Sequence, residues 1–332
     1  MAFRFKSSWF VWILLVLCIA AIPVGLLGKK AGDTLNSDNE LDSGDLTTSF
    51  TDRVQVIRLS GLIMDKHESS LFGEGDSASF VEKALRKAIS DVHVKGVLLR
   101  INSPGGTVPT SQEINDELVS LRSKNKPVVV SMADVAASGG YYIACGADKI
   151  VAQPGTLTGS IGVIFNSVNV KVLADKVGVQ PQVVKSGLFK DIGSPFRPFT
   201  PEEKEILKGI IEDSYDQFVQ VVAKGRNLSV EAVKKLADGR VYTGRQALKL
   251  GLVDQLGGYD VAMDLLQSIC KERYQIKAKL PIEDVTSGGL LSSLAGFKKG
   301  FKFSLDNGNF TSELIPEFMN GRFYHMPLWV MQ

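Results

Sequence analysis

Histidine is scarce in this sequence of 332 residues, and its distribution limits the available catalytic chemistry. The three histidines are His67, His93 and His325, so none lies between residues 94 and 324. A serine nucleophile in that stretch has no histidine shortly after it, which excludes a Ser-His-Asp triad in that order. His93 falls between a predicted helix and a predicted strand and is expected at the surface, while His325 lies in the last eight residues.

The sequence also has only three cysteines and almost no net charge. Cys18 lies in an apolar N-terminal run, and spacing alone does not decide whether the other two cysteines, Cys145 and Cys270, form a disulfide. The net charge is only +2, with no charged block, so nothing suggests a nucleic-acid partner. With 44% hydrophobic and 22% charged residues, the composition is that of a globular protein with a large core.

The N-terminal apolar run is long enough to cross a membrane. Residues 9–28 are 20 residues without a charge, and at about 1.5 Å per residue such a helix spans a bilayer core of about 30 Å. Arg4 and Lys6 precede the run, and Trp9 and Trp12 open it, as interfacial residues would. We predict that residues 1–28 form an uncleaved signal anchor, with the N-terminus inside and the body of the protein outside.

The rest of the chain divides into a linker and an α/β domain. Residues 29–52 are polar and acidic without apolar periodicity, which predicts a flexible linker, and the folded domain is expected over residues 53–280. Strands are predicted at 53–63, 94–102, 127–133, 149–153, 161–165 and 181–185, and helices at 77–90, 109–121, 139–146, 169–177 and from Thr200 to about residue 224. Strands joined by helix-length connections indicate an α/β fold with crossover units.

Ser138 is the first candidate for chemistry, because it follows an apolar strand in the sequence AASGGYY. A serine before a helix is ordinarily an N-cap. The position also suits a nucleophile, since helix N-terminal amides can stabilise an oxyanion and Gly139 would let a substrate approach closely. Gly105 and Gly106 follow the preceding strand in the turn NSPGG, and two glycine-lined strand ends are what a two-donor oxyanion hole requires. The residues leave both roles of Ser138 open.

Without a nearby histidine, lysine is the natural base for such a serine. A free lysine has a pKa of about 10.4, and burial in an apolar cleft can lower this value to about 7–8. Composition does not choose among Lys149, Lys171, Lys176, Lys185 and Lys190. Lys190 lies in a loop rich in glycine and proline, where Phe189 and Ile192 could desolvate it. The alternative is a solvated lysine paired with Asp191.

Five motifs, in order, resemble the signal peptide peptidase A family, the membrane-anchored serine-lysine peptidases of bacteria, in its short single-domain form. They are NSPGG, AASGGYY, GTLTGSIGV, SGLFKDIGSPFRPFT and GRVYTGRQALKLGLVDQLGG. The resemblance covers residues 53–275, and five motifs in order behind an N-terminal anchor make it specific.

The resemblance implies a role for each matching residue. Ser138 is the nucleophile, Lys190 is the general base, and Ser160 hydrogen-bonds the lysine amine. The backbone amides of Gly106 and Gly139 form the oxyanion hole, and no metal or other cofactor is needed. The implied fold is that of Clp protease and the crotonases, a spiral of ββα units.

The same resemblance implies homo-oligomers of ring or dome shape at the bacterial inner membrane, with the catalytic domain on the extracytoplasmic side. The expected substrates are signal peptide remnants and other unfolded apolar peptides, and Tyr141, Tyr142, Phe189 and Ile192 are candidates for an apolar pocket. The segment 239–258 is interpreted as packing one subunit on another. The tail, residues 281–332, could lie on an anionic membrane surface or pack on a neighbouring subunit.

Two alternatives come from other functional classes. A crotonase-type acyl-CoA enzyme would share the fold and the oxyanion hole but would not need Ser138 or Lys190, and a membrane anchor fits it poorly. A non-catalytic membrane scaffold would function through its assembly alone. Labelling of Ser138 by a fluorophosphonate distinguishes a serine peptidase from both.

Overall fold

A mostly parallel β-sheet forms the centre of the computed structural model, which describes residues 51–65, 77–285 and 329–331. The strands are β1 (Arg53–Ser60), β2 (Val94–Ser103), β3 (Gly106–Thr107), β4 (Val128–Ala137), β5 (Lys149–Ala152), β6 (Leu157–Gly159), β7 (Ile164–Phe165), β8 (Val241–Thr243), β9 (Gln255–Leu256), β10 (Ile282–Asp284) and β11 (Trp329–Met331). The helices are α1 (Ala78–Ser90), α2 (Val108–Ser123), α3 (Gly139–Ala144), α4 (Lys171–Lys176), α5 (Pro201–Arg226), α6 (Val230–Leu236), α7 (Gly244–Lys249) and α8 (Tyr259–Tyr274).

The long strand β4 connects two parts of the sheet. The main path runs β10-β1-β2-β4-β5-β9, and all of its neighbours are parallel. The first half of β4 pairs with β5 through Val129–Met132, and its second half pairs with β6 through Val135–Ala137. The strand β8 then adds to β6 in the antiparallel sense. The carboxyl end of β4 therefore lies beside β6 and away from β5.

Continuous apolar runs explain why the central strands are parallel and covered on both faces. In β4, Val128 and Val130 belong to one hydrophobic cluster and Val129 to another, and all three are fully buried. Alternate residues of a strand point to opposite faces, so helices must cover both. The first cluster includes side chains from α1, α2, α3 and α5, and the second includes Leu266 and Cys270 of α8. This confirms the predicted α/β class.

Most predicted elements occur close to their predicted positions. Thr200 and Glu203 form the expected capping box at the start of α5, with Pro201 in the first turn. The signal anchor predicted for residues 1–28 and nearly all of the linker lie outside the described residues. Among the helices that the structure describes, none is long and apolar enough to span a bilayer.

The structure also bears on a predicted strand, a predicted subunit contact and the two cysteines. Residues 181–185, predicted as a strand, form no strand and are exposed, because no described strand lies beside them. The segment 239–258 packs within its own chain, where β8 pairs with β6 and β9 with β5. Cys145 and Cys270 are free thiols buried in different hydrophobic clusters.

A pair of glycines in α5 tests how closely this helix packs on the end of α3. A β-carbon added to Gly225 would lie 2.2 Å from the carbonyl oxygen of Cys145, whereas one added to Gly209 would meet nothing within 4 Å. We expect Gly225→Ala to lower the free energy of unfolding by about 1–3 kcal/mol, despite the better helix propensity of alanine. Gly209→Ala, the matched control, should raise it by up to about 1 kcal/mol. Urea unfolding of the two variants measures both; equal effects would contradict the close packing.

Candidate active site

The loop that carries Ser138 begins where β4 ends, at the carboxyl edge of the parallel sheet. Ser138 immediately precedes α3 and is fully buried. The turn with Gly105 and Gly106 follows β2, the neighbour of β4, and Ser103 of β2 pairs with Ala136 of β4. In α/β sheets this edge is where ligands bind. The fold therefore brings the two predicted glycine-lined strand ends together.

Ser138 does not cap the helix that it precedes. Its backbone has φ 53° and ψ −118°, and its side chain makes no capping hydrogen bond, whereas an N-cap serine has an extended backbone and accepts a bond from the first turn. The buried Oγ has no hydrogen-bond partner among the residues that the structure describes. Leaving a buried hydroxyl unpaired costs about 1–3 kcal/mol. The capping interpretation is therefore wrong, and the hydroxyl is left available.

Backbone strain singles out a second serine at this edge. Three of the five described non-glycine residues with positive φ follow the ends of helices, where that conformation is common: Asn125, Asn227 and Gln275. The other two are Ser138 and Ser160. The amide of Ser138 donates to the carbonyl of Gly159 (2.8 Å), so the two serines lie on adjacent backbone segments. Strain of this kind accumulates at functional sites.

The two predicted oxyanion residues lie against each other. A β-carbon added to Gly139 would lie 3.1 Å from the amide nitrogen of Gly106 and 2.5 Å from Ser111 Oγ. A β-carbon on Gly106 would lie 1.8 Å from the carbonyl oxygen of Ile63. Both positions therefore exclude a side chain, and the backbones that carry the two amides adjoin beside Ser138. Sequence reasoning missed Ser111, although it lies in the first turn of the helix that follows NSPGG.

Lys190, the predicted base, lies on a segment whose residues are mostly exposed. We call residues 166–200 the arm. The ring of Phe165, which immediately precedes the arm, contacts that of Phe199 near its end, and the amide of Val170 donates to the carbonyl of Pro195 (2.7 Å). Lys190 is exposed, and it is not hydrogen-bonded to Ser138, whose Oγ has no described partner. Among the described residues of one chain, no hydrogen bond joins Lys190 to Ser138.

Asp191 is bound by cations other than Lys190. Lys185 Nζ lies 2.7 Å from one carboxylate oxygen of Asp191, and Arg197 Nε donates to the other at 2.9 Å. Arg197 also donates to the carboxylate of Glu203 (2.7 Å), the capping-box residue of α5. The alternative interpretation of Lys190 as the ion-pair partner of Asp191 is therefore wrong. Arg197, in the motif SPFRPFT, was also missed.

These hydrogen bonds fix the charge state of the loop after Lys190. Arg197, with a smaller effect from Lys185, holds the pKa of the Asp191 carboxyl well below its usual range. The hydrogen bond from Arg197 lowers the pKa of Glu203 to about 2. Both carboxylates are therefore ionised at neutral pH and tie the residue after Lys190 to the start of α5.

Neither the two buried cysteines nor His93 is suited to act as nucleophile or base at this site. Burial raises the pKa of the Cys145 and Cys270 thiols to about 12, which keeps them in the unreactive form. His93 Nδ1 lies 3.2 Å from Asp52 Oδ1 at the amino end of β2, the opposite edge from Ser138. His67 and His325 lie outside the described residues.

The two tyrosines after Ser138 belong to the core and do not line a cleft. Tyr141 is fully buried, and its hydroxyl donates to the carbonyl of Leu252 (2.9 Å). The ring of Tyr142 packs against Phe218, with centroids 5.2 Å apart. Their predicted place in an apolar substrate pocket is therefore wrong, because both side chains are used to hold α3.

Comparison with known proteins identifies the family of this chain. Residues 120–271 match the model of peptidase family S49. The chain is 38% identical to signal peptide peptidase SppA of Enterococcus faecium over 86% of this chain and 85% of the relative. It is 54% identical to a protease of Synechocystis over 55% of this chain and 67% of that protein. It is 36% identical to protease 4 of Haemophilus influenzae over 71% of this chain and 39% of that protein.

The relative from Enterococcus faecium is 38% identical over most of both chains, and this establishes the family. The residues that match the family model, 120–271, include Ser138. The predicted resemblance is confirmed: the chain belongs to peptidase family S49 and is a serine peptidase.

Proposed function

We propose that this serine peptidase acts through a Ser-Lys dyad of Ser138 and Lys190 on signal peptide remnants and other unfolded apolar peptides at a membrane. The observation that carries the proposal is the buried, strained and unpartnered hydroxyl of Ser138 beside two adjoining glycine amides. No structural role for that hydroxyl is found among the described residues. Family membership argues against the acyl-CoA enzyme and the inert scaffold.

The proposed chemistry is acyl transfer. Ser138 Oγ attacks the scissile carbonyl while neutral Lys190 accepts its proton, and the amides of Gly106 and Gly139 donate to the developing oxyanion. Lys190 then gives the proton to the leaving amine, and later activates the water that hydrolyses the acyl-enzyme. Ser160, on the strained segment beside Ser138, orients the lysine amine.

A second copy of the chain is the proposed source of the lysine. Among the described residues, eleven of the eighteen exposed large hydrophobic side chains lie on the arm and the first half of α5. Val184 is fully exposed, and Leu188 beside Lys190 is 71% exposed. An apolar surface of this kind marks an interface. If the arm packs on a neighbour in a homo-oligomer, it desolvates Lys190 and carries it to the neighbour's Ser138.

The membrane setting and the fold subtype are also proposals. The name of the Enterococcus faecium relative supports signal peptides as substrates, and the uncharged run of residues 9–28 supports an anchor that holds the site near them. The division of β4 between β5 and β6 supports the expected spiral of ββα units.

Replacing Ser138 is expected to remove activity without loss of stability. Ser138→Ala should lower kcat by about 10⁴-fold or more and abolish fluorophosphonate labelling. Because the hydroxyl makes no described hydrogen bond, the free energy of unfolding should not fall. Ser123→Ala, an exposed serine at the end of α2, serves as the control and should be labelled normally. Labelling that persists in Ser138→Ala would place the nucleophile elsewhere.

Mixing two inactive variants tests whether the dyad forms between copies. Ser138→Ala and Lys190→Ala should each be inactive alone. Dissociated, mixed one to one and reassembled, they should regain about a quarter of wild-type activity, since half of the sites have a serine and half of those face a neighbour with a lysine. Peptide hydrolysis before and after mixing is the measurement. A mixture as inactive as its components would mean that each dyad forms within one chain.

Activity is expected to rise with pH from the neutral into the alkaline range. A lysine amine accepts a proton only when it is neutral, so the active fraction grows as the pH increases. The carboxylates of the loop cannot cause this rise. The pKa of Asp191 is far below its usual range and that of Glu203 is about 2, so both stay ionised above about pH 5. A profile of kcat that is flat from pH 6 to 10, with chemistry rate-limiting, would refute a lysine base.

The substrate class is tested with three matched substrates. A synthetic signal peptide should be cleaved after small or hydrophobic residues, while an acidic peptide of equal length should be cleaved slowly. A stably folded protein should be spared, because only an extended chain can reach a buried hydroxyl. Mass spectrometry of the products gives rates and cleavage positions. Preference for the acidic peptide, or rapid digestion of the folded protein, would contradict the proposal.

A further inference from the structure

The glycine turn, residues 103–107, is held by backbone groups of the segment that follows β1. The amide of Ile63 donates to the carbonyl of Gly105 (2.9 Å), and the amide of Thr107 donates to the carbonyl of Ile63 (2.7 Å). Ile63 is fully buried, and its carbonyl leaves no room for a side chain on Gly106. The peptide that joins Gly105 to Gly106 therefore lies directly against Ile63.

The side chain of Ser103, at the end of β2, binds the same turn. Its Oγ accepts a hydrogen bond from the amide of Gly105 (3.1 Å) and donates one to the carbonyl of that residue (3.3 Å). Ser103 is fully buried, and its pairing with Ala136 of β4 fixes its backbone. The hydroxyl thus spans Gly105, whose φ of 122° strongly favours glycine.

The direction of the Gly105 carbonyl decides the direction of the Gly106 amide. Among the described residues no peptide bond is cis, and in a planar trans peptide the C=O and the N–H point in opposite directions. Because the carbonyl is bonded to the amide of Ile63, the N–H of Gly106 points away from Ile63. Its nitrogen would lie 3.1 Å from a β-carbon added to Gly139, so it adjoins the other proposed oxyanion donor.

We propose that Ser103 is a positioning residue, whose hydroxyl keeps the Gly105–Gly106 peptide in the orientation that presents the Gly106 amide to the oxyanion. This inference rests on the proposed function, because it takes Gly106 as an oxyanion donor. Glycine adopts φ values of either sign, so the hydrogen bonds to the Gly105 carbonyl are what oppose rotation of this peptide. Without the hydroxyl the peptide reverses, and its carbonyl oxygen then faces the developing negative charge and repels it.

Removing the hydroxyl is expected to slow turnover and leave substrate binding unchanged. In the full-length protein, Ser103→Ala should lower kcat for a fluorogenic unfolded peptide by about tenfold with KM unchanged, because the oxyanion forms only as the reaction proceeds. Ser131→Ala is the matched control, since it removes another fully buried serine hydroxyl, from the middle of β4. It should keep the wild-type kcat. Equal kcat values for Ser103→Ala and the wild type would overturn the inference.

A transition-state analogue separates positioning from damage to the fold. A peptidyl trifluoromethyl ketone takes up the serine oxygen at its carbonyl carbon and becomes an oxyanion, so its Ki should rise in Ser103→Ala by the same factor of about ten. Partial unfolding lowers the amount of active enzyme and leaves Ki unchanged. A fall in kcat without a rise in Ki would therefore overturn the inference.

A crystal structure of Ser103→Ala tests the peptide orientation without any activity. If reversal causes a tenfold fall in kcat, only about a tenth of the molecules keep the original orientation. The Gly105 carbonyl should then be seen turned away from the Ile63 amide. A carbonyl that still accepts from Ile63 would overturn the inference even if Ser138 proves catalytic. A reversed peptide would support it even if Lys190 proves not to be the base.

Discussion

The backbone conformation of Ser138 is the constraint on which the site depends. A residue at φ 53° and ψ −118° lies outside the regions that side chains favour, at a cost of about 1–3 kcal/mol. Both of its backbone groups are fixed: its amide donates to Gly159 at 2.8 Å, and its carbonyl accepts from Tyr142 at 2.8 Å. With this backbone the side chain makes no capping bond, and Ser138 directly precedes Gly139, whose backbone adjoins that of Gly106.

The core maintains that strain by holding a helix that is too short to be stable alone. The helix α3 has six residues, well below the length at which isolated helices form in water. Its tyrosines supply the missing stability, one through a buried hydroxyl bond and the other through packing on Phe218. Asn115 of α2 adds a hydrogen bond to the Tyr142 carbonyl (2.9 Å). Ser138 is therefore carried on a rigid support, as the proposed chemistry requires.

The elements that were predicted correctly from the sequence are those that depend on a local pattern of residues. The apolar runs of β2 and β4 and the capping box of α5 occur as expected, since each is decided by neighbours in the chain. Errors arose where a residue's environment comes from distant parts of the fold. Tyr141 looked like a pocket residue because its partner, Leu252, lies more than a hundred positions away. Residues 181–185 have strand composition, yet no described strand lies beside them. No spacing rule indicates the positive φ of Ser138, or the insertion of residues 329–331 beside Gly106.

The two halves of the proposed dyad differ in how they are supported. Ser138 is fully buried and fixed by the core, whereas Lys190 lies on an exposed arm whose loop is organised by Arg197, Asp191 and Glu203. These ion pairs hold the loop in shape without burying the lysine, so in the proposed dyad the desolvation comes from a neighbouring copy. In the proposed mechanism, a single chain supplies the serine and the two glycine amides, and the lysine comes from a second copy. If the lysine comes from a second copy, proteolysis requires assembly of the chains.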